Sequence, residues 1–253
     1  MYQLEIISQN DLQNHFQQHQ KLEVIDLQQM QNLLQMNISS EVWVDAEQRN
    51  LLFFNKEFIE QTYEFIFQER QIMYHHLLSF LSNLTSLNLS HNQISEISSI
   101  SKLKNLSTLD LSVNKIEDIS TLQSLTNLTE LNIQRNKITS YKVELPNLMS
   151  LKIGENRLKD CSGLQYSPKL QYLNIFGTDI TDINKFIPQY LFNLKSLQLE
   201  YNNISELMYV SNFVNLQSLS LTGNQNIKNI GPLKFCTQLN NCFSKYAVED
   251  QLS

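Results

Sequence analysis

The sequence predicts an α/β solenoid: a curved parallel sheet on the concave face, 3₁₀ or short helical turns on the convex face, and an N-terminal α+β/helical cap. The first observation is a frame, L-x-x-L-x-L-x-x-N-x-I-x-x-I, whose opening leucines are Leu84, Leu106, Leu128, Leu148, Leu170, Leu194 and Leu216. An eighth start falls at Leu239, and successive starts lie 22, 22, 20, 22, 24, 22 and 23 residues apart. A fixed period of this length marks stacked supersecondary units, each too small to bury its own apolar face. The second observation is a column of asparagines, Asn92, Asn114, Asn136, Asn156, Asn202 and Asn224, three residues after the last strand leucine. The third is a break in composition: no glycine or proline precedes Pro146, and eleven glutamines fall in the first 50 residues.

Each repeat opens on an alternating stretch such as Leu87-Asn88-Leu89, which reads as a short strand with its leucines inward and Asn88 outward. Every connection returns to the same edge, so neighbouring strands run parallel. The asparagine amides carry both donor and acceptor and suit the place where the chain leaves the sheet. The back of a repeat keeps apolar residues about three apart, as in Ile94, Ile97, Ile100 and Leu103, the spacing of a 3₁₀ or short helical turn. Thr178 stands in the asparagine column of the fifth repeat and predicts a weaker rung there. The third repeat is two residues short, near residues 141–146, and the fifth two long, near 186–192.

Residues 1–82 read as an α+β region. Strands are expected at 4–7, 22–27, 42–44 and 51–54, with a hairpin loop at 46–50 and short helices at 11–19 and 28–36. Ile59, Tyr63, Ile66, Met73, Leu77 and Leu81 recur at helical spacing and predict an amphipathic helix over 56–81 that caps the array. Degenerate repeats are the other reading, since Leu22-x-x-Ile25-x-Leu27 matches half the frame; the cap is favoured. The array is expected over 83–242 and a tail or closing cap over 243–253.

Net charge is −6 with both signs interspersed, and no basic run offers a track for a phosphate backbone, so nucleic acid is excluded as the main partner. No apolar run approaches the roughly 20 residues of a membrane span, and the N-terminus lacks a basic-then-apolar leader. Cys161, Cys236 and Cys242 form no C-x-x-C pair and read as buried free thiols. These features predict the cytosol or nucleus. Asp11, His15, His19, Asp26 and Asp45 accompany no nucleophile elbow, phosphate loop or metal spacing, and His75 and His76 are adjacent and cannot chelate together. No catalytic site, metal or cofactor is expected.

On these residues the chain resembles the short 22-residue class of leucine-rich repeats, which includes the bacterial internalins and the nuclear regulatory subunit of type-1 serine/threonine protein phosphatase. The resemblance covers about residues 83–242. It implies a non-enzymatic module that binds another protein on its concave sheet face or, more narrowly, a phosphatase regulatory subunit. The matching positions are the buried Leu/Ile/Asn scaffold, so no contact residue carries over.

Outward positions nominate the partner-binding face. They are small or polar in the first, second and seventh repeats, as at Ser86, Thr108 and Ser218. In the middle repeats they become Glu130, Arg135, Lys152, Tyr172, Phe176, Glu200 and Tyr201. Aromatic residues ringed by charges have the composition of an interaction hot spot. Phe176 and Tyr201 are the expected anchors, with Glu130, Arg135, Lys152 and Glu200 setting register.

Overall fold

The computed structural model describes residues 84–243 together with the strands β1 (Glu41–Asp45), β2 (Asn50–Phe53) and β3 (Glu64–Ile66). The chain divides into two compact units, Met1–Thr62 and Tyr63–Ser253. In the first unit β1 and β2 pair antiparallel, Val44 opposite Leu51 and Asp45 opposite Asn50, which is the expected hairpin. The strands expected at 4–7 and 22–27 and the helices at 11–19 and 28–36 lie outside the described residues.

The second unit is built on one parallel sheet. Its strands are β3, β4 (Ser86–Asn88), β5 (Thr108–Asp110), β6 (Glu130–Asn132), β7 (Ser150–Lys152), β8 (Tyr172–Asn174), β9 (Ser196–Gln198), β10 (Ser218–Ser220) and β11 (Asn241–Phe243), paired in chain order. The middle residue of every strand from β4 to β10 is a leucine at 2% exposure or less. Such burial stabilises by roughly 1.5–3 kcal/mol per side chain, and the leucines and isoleucines of successive repeats form one continuous core. Back turns of 3₁₀ type, Ser98–Lys102, Ser120–Ser124, Ser162–Tyr166, Met208–Asn212 and Gly231–Phe235, close five of the repeats as the apolar spacing predicts.

The N-terminal edge corrects the sequence expectation. Glu64–Ile66 is strand, not part of a continuous helix over 56–81, and it pairs with β4 at Glu64 opposite Ser86 and Ile66 opposite Asn88. The offset equals the repeat period, and Phe65-x-Phe67 supplies the fourth and sixth frame positions without the asparagine. An apolar stretch this dense satisfies the two-residue and the 3.6-residue period together, so periodicity alone does not separate strand from helix. The remainder of 56–81 is outside the described residues, as is the half-frame at Leu22-x-x-Ile25-x-Leu27 on which the degenerate-repeat reading rests. At the other end β11 follows Leu239, so the frame reaches Phe243 before the described residues end.

Register follows the frame and ignores repeat length. Glu130 pairs with Ser150 across the short repeat and Tyr172 with Ser196 across the long one. The difference is absorbed at the back. The short third repeat has no helical turn; it runs extended, with a Ser140–Asp160 bridge and Tyr141 fully buried. Gly163 makes room for it, because a Cβ there would stand 2.8 Å from the carbonyl oxygens of Tyr141 and Val143. The long fifth repeat forms a one-turn α-helix, Ile183–Phe186, with Asp182 accepting from the Asn184 N–H at 3.0 Å.

Two asparagine ladders join the repeats. In the expected one, Asn114 Nδ2 donates to Leu111 O in its own repeat and to Leu89 O in the preceding one, while Oδ1 accepts from the Ile94 N–H. Asn136, Asn156, Asn202 and Asn224 repeat this pattern. Thr178 is the weak rung: its Oγ1 reaches Ile175 O at 3.1 Å, but neither Ile153 O nor the Leu158 N–H finds a bond with it. The second ladder was not foreseen. The asparagine just before a repeat's first leucine donates to the preceding repeat's backbone, Asn127 to Lys104 O, Asn147 to Thr126 O, Asn193 to Pro168 O and Asn215 to Phe192 O.

Between strand and ladder the chain turns through one left-handed residue per repeat: His91, Val113, Arg135, Glu155, Gly177, Tyr201 and Gly223, with φ from 51° to 84°. That residue still donates to the next repeat, as from Val113 N–H to Gln134 O at 2.9 Å, before the asparagine swings inward. A β-branched side chain is the poorest occupant of this conformation.

Of the cysteines, Cys161 and Cys236 are buried and Cys242 half-buried, all without disulfides; burial pushes the Cys161 thiol up to about 12. Two tests follow from the turn and ladder. Asn136→Ala should cost about 1–3 kcal/mol, read as a lower midpoint in urea with an unchanged slope. Val113→Asn should raise stability by up to about 1 kcal/mol; a lower midpoint would show that packing of the valine outweighs its backbone strain.

Candidate functional site

The outward side chains of β6 to β9 form the candidate face. Three steps separate β6 from β9, about 14 Å at the ordinary strand spacing, so all seven nominated residues fall on one contiguous strip. Glu130, Arg135 and Lys152 occupy its β6–β7 side; Tyr172, Phe176, Glu200 and Tyr201 occupy its β8–β9 side.

Glu130 and Lys152 are exposed on their strands, and the Lys152 ammonium stands 6.0 Å from the Tyr172 ring centroid. Arg135 is exposed and engaged with Glu155, Nε to Oε2 and a second contact from a terminal nitrogen. An exposed pair of this kind contributes little to stability. Its left-handed backbone, like that of Tyr201, carries the side chain off the end of the strand to the rim of the sheet. Tyr201 is 67% exposed there.

Phe176 departs from expectation. It is half-buried rather than exposed, because its ring lies back over Gly154. A Cβ on Gly154 would stand 2.4 Å from Phe176 Cδ1 and 2.8 Å from the Phe176 carbonyl oxygen, so the absent side chain is what seats the ring. Tyr201 leans the other way, over Gly223, where a Cβ would meet its Cδ1 at 2.7 Å. The two anchors therefore splay apart, and between them stand Gly177, which has no side chain, and Glu200.

Sequence reasoning missed Gln198. In most repeats the outward residue at the end of the strand is Asn or Asp, and it caps the N–H two residues on: Asn88 to Ser90, Asp110 to Ser112, Asn132 to Gln134, Asn174 to Phe176. These residues are turn formers, not free contact groups. Gln198 is longer and reaches across to β8, accepting from Tyr172 Oη at 2.7 Å and from Asn174 Nδ2. Its break from the Asn/Asp column was the available signal. Burial raises the Tyr172 phenol above its ordinary pKa, and the neighbouring Glu200 carboxylate adds to the shift. Glu200 is half-buried, with Oε2 enclosed and without a hydrogen-bond partner among the described residues.

Among the described residues, no group of three acidic, histidine or cysteine side chains converges as a metal site would. The face is a ridge of aromatic rings, amides and opposed charges.

The family profile described as leucine-rich repeats in two copies matches residues 82–124 and 104–147, and a single leucine-rich repeat profile matches 166–183. These are leucine-rich repeats. The fold is similar to that of an internalin from Listeria monocytogenes str. 4b F2365, at 30% identity and TM-score 0.71, covering 78% of this chain and 57% of that one. Internalin C2 of the same strain aligns at 24% identity and TM-score 0.70, over 77% of this chain and 85% of that one. A leucine-rich repeat protein of Leptospira interrogans aligns at 22% identity and TM-score 0.61, over 75% and 51%. The last two likenesses speak for the fold alone. The chain spans little more than half the length of the first and third of these structures. No curated protein sequence matches the chain.

The leucine-rich repeat face yields its own test. Gly154→Ala should destabilise by about 1–3 kcal/mol through overpacking, seen in thermal melting. Adding Phe176→Ala should restore only part of the loss, since the clash with the carbonyl oxygen remains; full restoration would place the strain in the ring alone.

Proposed function

We propose that this chain is a non-catalytic module that binds a partner protein on the sheet face of its leucine-rich repeats, across β6 to β9. The observation that carries the reading is the cluster at β8 and β9: exposed Tyr201, half-buried Phe176 and Tyr172 stand together among Lys152, Gln198 and Glu200. Rigid rings that offer apolar area beside fixed polar groups are what interfaces concentrate their energy on. The flanking repeats carry small or polar residues at the same places, so the face has a centre and a rim. The repeat scaffold holds the centre rigid, and binding there loses little conformational entropy.

Tyr201 is the principal anchor, because it is exposed and its ring is already seated beside Gly223. Phe176 supports the surface from below. Lys152, Glu130 and the Arg135–Glu155 pair set register through charge, which governs encounter and orientation more than affinity. The narrower reading, a phosphatase regulatory subunit, draws on the repeat class alone; no residue of the face favours it.

Capture from native lysate followed by mass spectrometry identifies the partner, and its affinity is then measured with purified protein. Alanine at both Phe176 and Tyr201 should weaken binding tenfold or more, about 1.4 kcal/mol upward, with Tyr201→Ala alone accounting for most of it and leaving the melting curve in place. Undiminished affinity in the double variant would move the partner off this face.

A further inference from the structure

We infer that the gap between Phe176 and Tyr201 receives a basic side chain, arginine or lysine, from the protein partner, with Glu200 as its counter-ion. The inference rests on the sheet face being the binding face and adds the chemistry it selects. Glu200 is the reason. One of its carboxylate oxygens is enclosed and without a donor, and none of the ion pairs among the described residues involves it. A carboxylate part-way out of water and lacking a partner gains most from a cation.

The local cations are spoken for. Arg135 is held by Glu155, and Lys152 stands over the Tyr172 ring on the neighbouring strands. The walls suit a guanidinium or ammonium. Phe176 adjoins Gly177 and Tyr201 adjoins Glu200 in sequence, and their rings lie away from each other, over Gly154 and Gly223. Gly177, whose N–H donates to the Glu200 carbonyl oxygen at 2.9 Å, sets no side chain beside Glu200. Aromatic walls attract a cation through their faces, and they exclude water from the ion pair it makes. Charge agrees: the strip from β5 to β9 sets Asp110, Glu130, Glu155 and Glu200 against Arg135 and Lys152, on a chain of net charge −6. An anionic partner group would meet repulsion at the same spot.

The test uses the ¹⁵N-labelled full chain titrated with an acetylated Arg-Gly repeat peptide and with the matched citrulline-Gly peptide, which keeps the shape and removes the charge. Saturable shifts of the Gly177 and Tyr201 amides with the arginine peptide alone are expected. Glu200→Gln should weaken that binding by roughly tenfold, while Glu206→Gln, an exposed acid at the back of the same repeat, leaves it unchanged. Shifts spread evenly over all acidic residues, or equal binding by Glu200→Gln, would overturn the inference. The identified partner separates the two readings. If Tyr201→Ala abolishes its binding but Glu200→Gln does not, the face stands and the cation site falls. If the arginine peptide binds at Glu200 while the partner ignores Tyr201→Ala, the cation site stands and the protein-binding reading falls.

Discussion

The array depends on one bonding pattern, the asparagine side chain that ties its own strand end to the repeat before it. Where the backbone leaves the sheet it has polar groups that water cannot reach, and an amide supplies donor and acceptor at once. Asn114 does this with Leu89, Leu111 and Ile94, and the same geometry recurs down the array. Because each rung spans two repeats, the ladder sets their spacing, while the leucines beneath supply the burial. At Thr178 the hydroxyl bonds Ile175 O in its own repeat and Asn202 Oδ1 in the next but makes no bond to the repeat before it, and a second left-handed residue, Asp179, follows. The aromatic part of the candidate face adjoins this rung: Phe176 and Gly177 immediately precede Thr178.

The ladder also decides where variation is harmless. With strand and asparagine fixed, two residues fewer or two more leave the sheet register untouched and change only the back, from 3₁₀ turn to extended chain or to a helical turn. Outward side chains are freed in the same way, since neither core nor ladder uses them. The left-handed residue is the exception that links scaffold to function. The turn demands the conformation at every repeat, and its side chain is thereby delivered to the rim, where Arg135 and Tyr201 stand.

Much of this was legible in the chain. The leucine frame, the parallel order of the strands, the asparagine column and the back turns follow from period and residue type. The second ladder was on view as the asparagines at 127, 147, 193 and 215 but was not recognised, because an exposed amide beside a leucine looks like an ordinary polar residue. At the N-terminal edge the dense run of phenylalanines around residue 65 fitted two periods equally, and only its pairing with β4 separated strand from helix.

By itself, the sequence determined the repeat and which residues face out, since strand alternation and the spacing of buried leucines are local properties of the chain. It nominated Glu130, Arg135, Lys152, Tyr172, Phe176, Glu200 and Tyr201 as a set, and the structure brings them onto one strip. What each of them does there was decided between repeats. Gly154 and Gly223 are 22 residues from the rings they seat, and Gln198 is 26 from the tyrosine it holds. Whether an outward aromatic stands in water or lies on its neighbour depends on the side chain present or absent one repeat away. That neighbour is fixed only when the strands stack, because contact between repeats is a property of the sheet and not of the segment.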